Sequence, residues 1–282
     1  MATVRTWIST DGNWAAAGSW SPSGVPITGD TVILAGSSTA SVTSGFAQGA
    51  IDLLLLYVDD SYLGNIGTSG TPLVIGATTI KHFGRGTFYL QDDTGTPATG
   101  SKIYVESGNN SNAMILTVTG TVDMLTVSRG TVTISSGGPA RLRVGALARG
   151  NRACRVTVGA SGGAGYVFVY NGTLTTNIGC SGGILYDGIW IHSAGEILDW
   201  KQFGGTMYFD AGTLTPGVDA AIFGGTFNAS RGNGIRTFGT TSGRLVVYPK
   251  AEPGYRVNYS LATNWAANEI RLAEAFAHSQ RP

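Results

Sequence analysis

The fold is decided by a phrase that recurs seven times between Thr78 and Val247, namely Gly86-Thr87-Phe88, Gly120-Thr121-Val122, Gly130-Thr131-Val132, Gly172-Thr173-Leu174, Gly205-Thr206-Met207, Gly212-Thr213-Leu214 and Gly225-Thr226-Phe227. The intervals from Gly86 to Gly130, from Gly130 to Gly172 and from Gly172 to Gly212 are 44, 42 and 40 residues. Gly108 and Gly150 fall near the half-steps of these intervals. The underlying period is therefore about 20 to 22 residues, which is typical of stacked-coil architectures.

A short run of β-branched or aromatic residues follows these glycines, as in 131–134 and 206–209. Glycine turns the chain at no steric cost, and the run that follows predicts a strand. The sequence therefore predicts an all-β chain, a parallel β-solenoid with about ten coils between Thr31 and Tyr248. Parallel crossovers favour the right-handed form.

The composition excludes several classes of protein. Of 282 residues 43 are glycine, 42% are hydrophobic and only 12% are charged, which is unlike a disordered chain. Glycine shows no three-residue register, so a collagen is excluded. The formal net charge of +1 predicts no general attraction to nucleic acid or to an anionic membrane.

Residues 1–36 differ from the repeat and are predicted to form an N-terminal cap. Trp7, Trp14 and Trp20 lie close together in the sequence, among residues that favour turns. The end of a coil stack exposes apolar core, which three tryptophans would cover. The alternative is an exposed aromatic platform for sugar rings.

A motif in this segment carries a resemblance to known proteins. It consists of Asp11-Gly12-Asn13-Trp14, Ser19-Trp20, Gly24-Val25-Pro26 and Gly29-Asp30-Thr31-Val32. The motif resembles the start of β-solenoid proteins found in bacterial surface passengers and in tailed-phage virions, including those of the capsid decoration (cement) type. The resemblance covers only this segment, implies the fold, and transfers no catalytic residue.

The first ten residues lack the apolar segment of a secretory signal. The longest apolar run, 50–58, contains Asp52 and is too short to span a bilayer. We therefore expect no export signal and no membrane partner. Because adhesins and surface passengers must leave the cell, the missing signal favours a phage protein, and we expect the virion as the location.

A basic segment follows an acidic one along the chain. No acidic residue lies between Met124 and Tyr186. Arginine is the residue type enriched at protein interfaces, so this segment predicts a docking belt for an acidic protein surface. The alternative is a solvated charged face. The predicted belt consists of Arg141, Arg143, Arg149, Arg152 and Arg155.

The repeat is predicted to occupy 37–248, and a C-terminal arm to occupy 249–282, after the repeat ends at Pro249 and Pro253. A helix is predicted over 266–277, too short to be stable alone, so it is expected to dock on the solenoid or on a neighbouring subunit. The predicted partner-binding anchors of the arm are Tyr255, Tyr259, Trp265 and Phe276.

No catalytic residue, metal ligand or cofactor is predicted. Cys154 and Cys180 are expected to be buried thiols, although adjacent coils could bring them within disulfide distance. The best acidic cluster is Asp187, Glu196 and Asp199. A glycosidase would need two carboxylates about 5 to 9.5 Å apart.

Three functions remain open. The first is a non-enzymatic decoration protein that binds the major capsid protein and itself, most simply as a homotrimer at threefold sites of a shell. The second is a tail appendage that binds a receptor or degrades a polysaccharide. The third is a glycan-binding adhesin module.

Overall fold

The computed structural model describes residues 2–36, 38–93, 100–120, 122–145, 154–214, 220–222, 225–228, 236–238, 245–247, 258–260 and 270–272. Within these ranges the chain is all-β, and its one helical element is the 3-10 turn Ala17–Ser19. No helix in the described part is long and apolar enough to cross a membrane. The prediction of an all-β chain is confirmed.

The strands are short in residues 1–36 and longer in the middle of the chain. The first nine are β1 (Val4–Trp7), β2 (Trp20–Ser21), β3 (Thr31–Leu34), β4 (Ala47–Val58), β5 (Leu73–His82), β6 (Phe88–Asp92), β7 (Ser101–Glu106), β8 (Met114–Val118) and β9 (Val122–Gly137).

The remaining strands continue to the C-terminal part of the chain. The next ten are β10 (Arg141–Val144), β11 (Cys154–Gly162), β12 (Ala164–Val169), β13 (Thr173–Thr176), β14 (Cys180–Leu185), β15 (Ile189–His192), β16 (Glu196–Ile197), β17 (Trp200–Gln202), β18 (Thr206–Phe209) and β19 (Gly212–Leu214). The last six are β20 (Ala220–Ile222), β21 (Thr226–Asn228), β22 (Arg236–Phe238), β23 (Leu245–Val247), β24 (Asn258–Ser260) and β25 (Ile270–Leu272).

The strands pair in parallel with the strand one period later. The longest series, which we call the first ladder, is β1, β3, β4, β5, β7, β9, β10, β12, β14, β17, β20, β23 and β25. From β3 to β23 it takes ten steps, and their average length agrees with the period predicted from the sequence. Individual steps vary in length, since Tyr166 pairs with Gly182 over a short step and Arg141 pairs with Tyr166 over a long one.

Two further parallel ladders accompany the first. The second runs through β6, β8, the end of β9, β11, β13, β15, β18, β21 and β24. The third includes the start of β14, then β16, β19 and β22. Among the described strands only β1 and β2 pair antiparallel.

The core is made of side chains that alternate along each strand and stack across strands. In β3, β13 and β18, half-buried and buried residues alternate along all four positions of the strand. Identical alternation in register places apolar side chains directly above one another. One fully buried stack of the first ladder contains Leu56, Ile80, Ile103, Leu125, Leu142 and Val167.

The glycines of the recurring phrase serve two purposes. Gly205 has a φ of 68°, in the left-handed region that favours glycine. Gly86 has no such φ, but a Cβ there would overlap the carbonyl of Gly64 in the neighbouring turn. The phrase therefore marks both sharp turns and close approaches between successive turns.

The N-terminal tryptophans are buried together. The exposed fraction is 0% for Trp7 and Trp14 and 1% for Trp20, and the ring centroids of Trp14 and Trp20 lie 4.7 Å apart, edge to face. An exposed sugar platform at these residues is therefore excluded. That the three rings close the end of the stack stays a prediction. Their burial meets one requirement of that role.

The motif residue Asp30 has a structural role beside this cluster. Its fully buried carboxylate accepts bonds from the Thr3 N–H at 2.8 Å, from the Arg5 Nε–H at 2.7 Å and from the Ile27 N–H at 3.1 Å. Burial alone would raise the pKa of Asp30, but these donors outweigh it and the pKa is lowered.

The predicted helix over 266–277 is wrong where the structure describes it. Ile270–Leu272 is a strand that pairs in parallel with β23, Leu245 opposite Ile270 and Val247 opposite Leu272. A twelve-residue helix is marginal alone, whereas the end of a ladder offers unpaired backbone groups. The rest of the predicted helix lies outside the described residues.

Candidate functional site on the outer face of the first ladder

The outward side chains of the first ladder form a continuous surface, which we call the outer face. In register along it lie Tyr57, Lys81, Tyr104, Thr126, Arg143 and Phe168. Every inward neighbour of these residues is buried in the core, so the ladder fixes their positions. Aromatic and cationic side chains thus follow one another across successive strands.

A groove crosses the outer face at strands β4, β5, β7 and β9. It consists of two adjoining hollows of about 560 and 540 Å³, which share Phe83 and Glu106. Thr79, Thr126 and Ser128 are among the residues that line its wall. Because the groove runs across the strands, a ligand lying in it would contact one strand after another.

Three aromatic side chains line this groove, Tyr57, Phe83 and Tyr104. The rings of Tyr57 and Phe83 meet edge to face with centroids 5.6 Å apart. The Tyr57 hydroxyl donates to Asp59 Oδ2 at 2.9 Å. Burial, together with the neighbouring carboxylates Asp59 and Asp60, raises the pKa of Tyr57, so this hydroxyl stays protonated as a donor.

Charged residues of both signs line the same groove. The cations are Lys81, Arg85, Lys102 and Arg129, and the carboxylates are Asp60 and Glu106. The four cations and two carboxylates give the groove a formal excess of two positive charges. A ligand with separated negative charges and hydrogen-bonding groups between them would suit this arrangement.

The gap at Gly108 separates two of the arginines. A Cβ placed on Gly108 would lie 3.6 Å from Arg85 Cγ and 3.9 Å from Arg129 Nη2. Neither arginine forms an ion pair with another residue of the described part. A guanidinium group beside a position that carries no side chain is well suited to a carboxylate.

A row of exposed aromatic rings lies farther along the outer face, at the ends of β12, β14 and β17. Tyr170 stacks on Tyr186 with centroids 5.1 Å apart and planes 3° apart, and Tyr186 stacks on Phe203 at 5.5 Å and 12°. The exposed fraction is 40% for Tyr186 and 43% for Phe203. We call these three residues the aromatic row.

The predicted arginine belt is divided between faces. Arg141 and Arg143 lie in β10 on the outer face, as their spacing predicts, and Arg143 lies over the Phe168 ring at 6.0 Å. Arg141 forms an exposed ion pair with Asp123 at 3.2 Å. Arg155 is exposed on β11, in the second ladder. Arg149 and Arg152 lie outside the described residues.

The predicted anchors of the C-terminal arm remain predictions. Tyr255, Trp265 and Phe276 lie outside the described residues. Only the backbone of Tyr259 is described, in β24, where it pairs with Phe227 of β21.

The acidic cluster of the sequence is spread over separate elements. Glu196 is in β16, Asp199 precedes β17, and Asp187 follows β14. Asp199 adjoins Gly182 in β14, five residues before Asp187 in the chain. Asp199 Oδ2 accepts a 2.8 Å bond from Tyr166, whose pKa is raised to about 12 by burial and then by Asp199.

Other candidate reactive groups lie inside the core. His192 and Trp190 are fully buried and both bond to Thr176 Oγ1, at 2.8 and 3.0 Å. Cys154 and Cys180 are buried free thiols, as predicted, and burial raises their pKa to about 11 and about 12. No group of three metal-ligating side chains occurs among the described residues.

The sequence analysis missed both the groove and the aromatic row. The row has a simple sequence signal, since each ring stands two residues before a glycine that opens the next strand, at Gly172, Gly188 and Gly205. The groove has no local signal, because its residues are brought together by register across four successive strands.

Comparison with known proteins identifies no relative of this chain. No protein-family model matches it, and neither the curated proteins nor the solved structures contain a match.

Proposed function

We propose that this chain is a non-enzymatic structural protein of a tailed-phage virion, a decoration protein that binds the major capsid protein and stabilises the shell. We propose further that the three ladders are the faces of a right-handed parallel β-solenoid, closed at its N-terminal end by the tryptophan cluster. Ten steps of about 4.8 Å would make the solenoid from β3 to β23 about 50 Å long. The N-terminal motif resembles the start of virion solenoids and of bacterial surface passengers alike, so it supports the solenoid part of the proposal.

The aromatic row is the observation that carries the binding role. Three stacked rings, two of them at least 40% exposed, form an apolar strip on a ladder whose inner strands are hydrogen-bonded on both sides. Tyrosine, phenylalanine and arginine are enriched at protein interfaces, and a few such residues supply most of the binding energy. Contiguous exposed apolar surface of this kind marks an interaction site.

Arg141 and Arg143 adjoin the row and would add electrostatic attraction to an acidic shell surface. Exposed charges are screened within about 8 to 10 Å at moderate salt. Replacement of both by serine should therefore weaken attachment at low salt and reduce its salt dependence.

The test is co-sedimentation of the purified protein with particles that lack it. The double variant Tyr186→Ala/Phe203→Ala should bind particles at least tenfold more weakly than the parent. Leu198→Ala is the matched control, because Leu198 is also 43% exposed but is not one of the three stacked rings of the aromatic row. If the parent does not bind, or if the double variant binds as well as the parent, the proposal is wrong.

Self-association as a homotrimer is part of this proposal, with the C-terminal arm in the contacts. Deletion of 249–282 should convert the trimer to a monomer in light-scattering measurements of molar mass. An unchanged mass would place the subunit contacts elsewhere.

The tail-appendage and adhesin alternatives are favoured by the groove, since aromatic, cationic and carboxylate side chains together suit a sugar chain. For a polysaccharide-degrading enzyme, the acids predicted from sequence are distributed over separate elements of the chain.

A further inference from the structure

We propose that the groove of the outer face binds an acidic glycan, a sugar chain that carries carboxylate groups, with one carboxylate in the gap at Gly108. This site would be distinct from the aromatic row. It does not depend on the decoration role, because purified protein is sufficient to test it.

The shape of the groove favours an extended ligand with a repeating structure. Its walls come from β4, β5, β7 and β9, whose spacing across the ladder is about 4.8 Å per strand. A chain lying across these strands meets similar side chains at regular intervals.

A peptide that adds to the sheet by backbone pairing is excluded at this place. β5 is already paired with β4 and β7, and β7 with β5 and β9, so the strands have no free edge. Recognition must therefore occur through side chains, since strand addition requires an unpaired edge.

The side-chain chemistry matches a sugar acid. The rings of Tyr57, Phe83 and Tyr104 offer apolar faces to the C–H faces of sugar rings. Asp60 offers a carboxylate acceptor for sugar hydroxyl groups. Each feature has a counterpart in an uronic-acid unit, and a neutral sugar would offer no negative charge to the cations.

The gap at Gly108 gives the carboxylate its place. A Cβ placed at Gly108 would lie 3.9 Å from Arg129 Nη2 and 3.6 Å from the aliphatic Cγ of Arg85, each in a neighbouring turn. Guanidinium groups bind carboxylates through paired, charge-assisted hydrogen bonds. A side chain at position 108 would occupy the place of the ligand without changing any charge.

Single-stranded nucleic acid is the competing ligand, because cations and aromatic rings also bind it. The two carboxylates in the groove oppose it, since a nucleic acid carries a phosphate on every unit. An acidic sugar chain can place hydroxyl groups against Asp60.

The experiment measures binding of a panel of uronic-acid oligosaccharides (oligogalacturonate, oligoalginate and hyaluronate fragments), with maltohexaose as the neutral glycan and oligo(dT) as the nucleic acid. At least one acidic glycan should bind at least tenfold more tightly than maltohexaose. The variant Arg85→Gln/Arg129→Gln should lose this preference, and Gly108→Leu should lose binding.

Two matched variants control for surface changes. Arg141→Gln removes an arginine of the same face outside the groove, and Gly70→Leu enlarges an exposed glycine where a Cβ would meet no atom within 4 Å. Both should bind as the parent does. The proposal is overturned if no acidic glycan binds, if oligo(dT) binds more tightly, or if Gly108→Leu binds normally while its thermal stability is unchanged.

Discussion

Asp30 shows how one residue of the N-terminal motif holds distant segments together. Its buried carboxylate joins the backbone of Thr3 and Ile27 to the side chain of Arg5, whose own exposed fraction is 13%. A buried charge that keeps all its partners is tolerated, but removal of one partner leaves the others unsatisfied.

The first prediction follows from these bonds. Asp30→Ala should lower the free energy of unfolding by about 3 kcal/mol, because Arg5 and two N–H groups lose their acceptor. Asp123→Ala breaks the exposed pair with Arg141 and should cost less than about 1 kcal/mol. Urea titration of both variants checks this, and equal losses would contradict it.

The second prediction concerns the buried histidines His82 and His192. Burial lowers the pKa of each to about 4, from 6.5 in the unfolded chain. The unfolded state therefore binds more protons between these values, so their contribution is fully present above pH 6.5 and is lost as pH falls toward 4. Over this pH window, protonation linked to each histidine should lower the free energy of unfolding by on the order of 3 kcal/mol.

Urea titrations at pH 7.5, 6.0, 5.0 and 4.5 measure this loss. The lowered pKa of Asp30 acts below its ordinary value of 3.8, outside the window. His82→Phe should make the pH profile of the unfolding free energy shallower, because it removes one of the two titrating groups. Phenylalanine suits this position, since Phe88 already packs edge to face against the ring there. A profile that is flat between pH 7.5 and 4.5 would show that neither histidine is buried in its neutral form.

At the scale of the element, the three buried tryptophans of residues 1–36 form one cluster with ring-to-ring contacts. The Trp20 indole N–H donates to the Trp14 carbonyl at 2.8 Å, and that of Trp7 donates to the Ala40 carbonyl at 3.1 Å. The cluster thus ties the first turns of the chain to the start of the repeat.

The third prediction is that Trp14→Ala lowers the free energy of unfolding by about 3 to 5 kcal/mol, the cost of a large cavity in a core. Ile8→Ala is the control, because Ile8 is 43% exposed in the same segment and should change stability by less than about 1 kcal/mol. A Trp14→Ala variant as stable as the control would contradict a capping role.

The strands that the sequence predicts are those with a local signal. The run after Gly205 gives β18, and the run after Gly130 gives part of β9. β9 itself could not be predicted, because its 16 residues serve two ladders in one strand. The helix at 266–277 was mispredicted at Ile270–Leu272 since a distant strand, β23, supplies its hydrogen bonds.

At the scale of the whole molecule, the ladders bring residues that are one sequence period apart together on one surface. Residues one period apart become neighbours, so Arg85, Gly108 and Arg129 meet in one groove although they are far apart in the sequence. The residues of the candidate site could not be predicted from the sequence for this reason, since the unequal steps of the ladder make the register ambiguous.

The groove and the aromatic row both depend on the parallel register of the first ladder. Distances between spin labels test this register directly. The register places Thr31, Leu55, Thr79, Lys102, Met124, Arg141 and Tyr166 in successive strands. Labels at Thr31 and Arg141 are five steps apart, about 24 Å, and labels at Thr31 and Tyr166 six steps, about 29 Å.

These distances are measured by pulsed electron spin resonance in a background where Cys154 and Cys180 are replaced by alanine. The parallel register predicts two narrow distance distributions whose mean distances differ by about 5 Å. This difference is small although Tyr166 lies a whole turn farther along the chain than Arg141. Broad distributions, or a second distance equal to or shorter than the first, would contradict the ladder and the surfaces built on it.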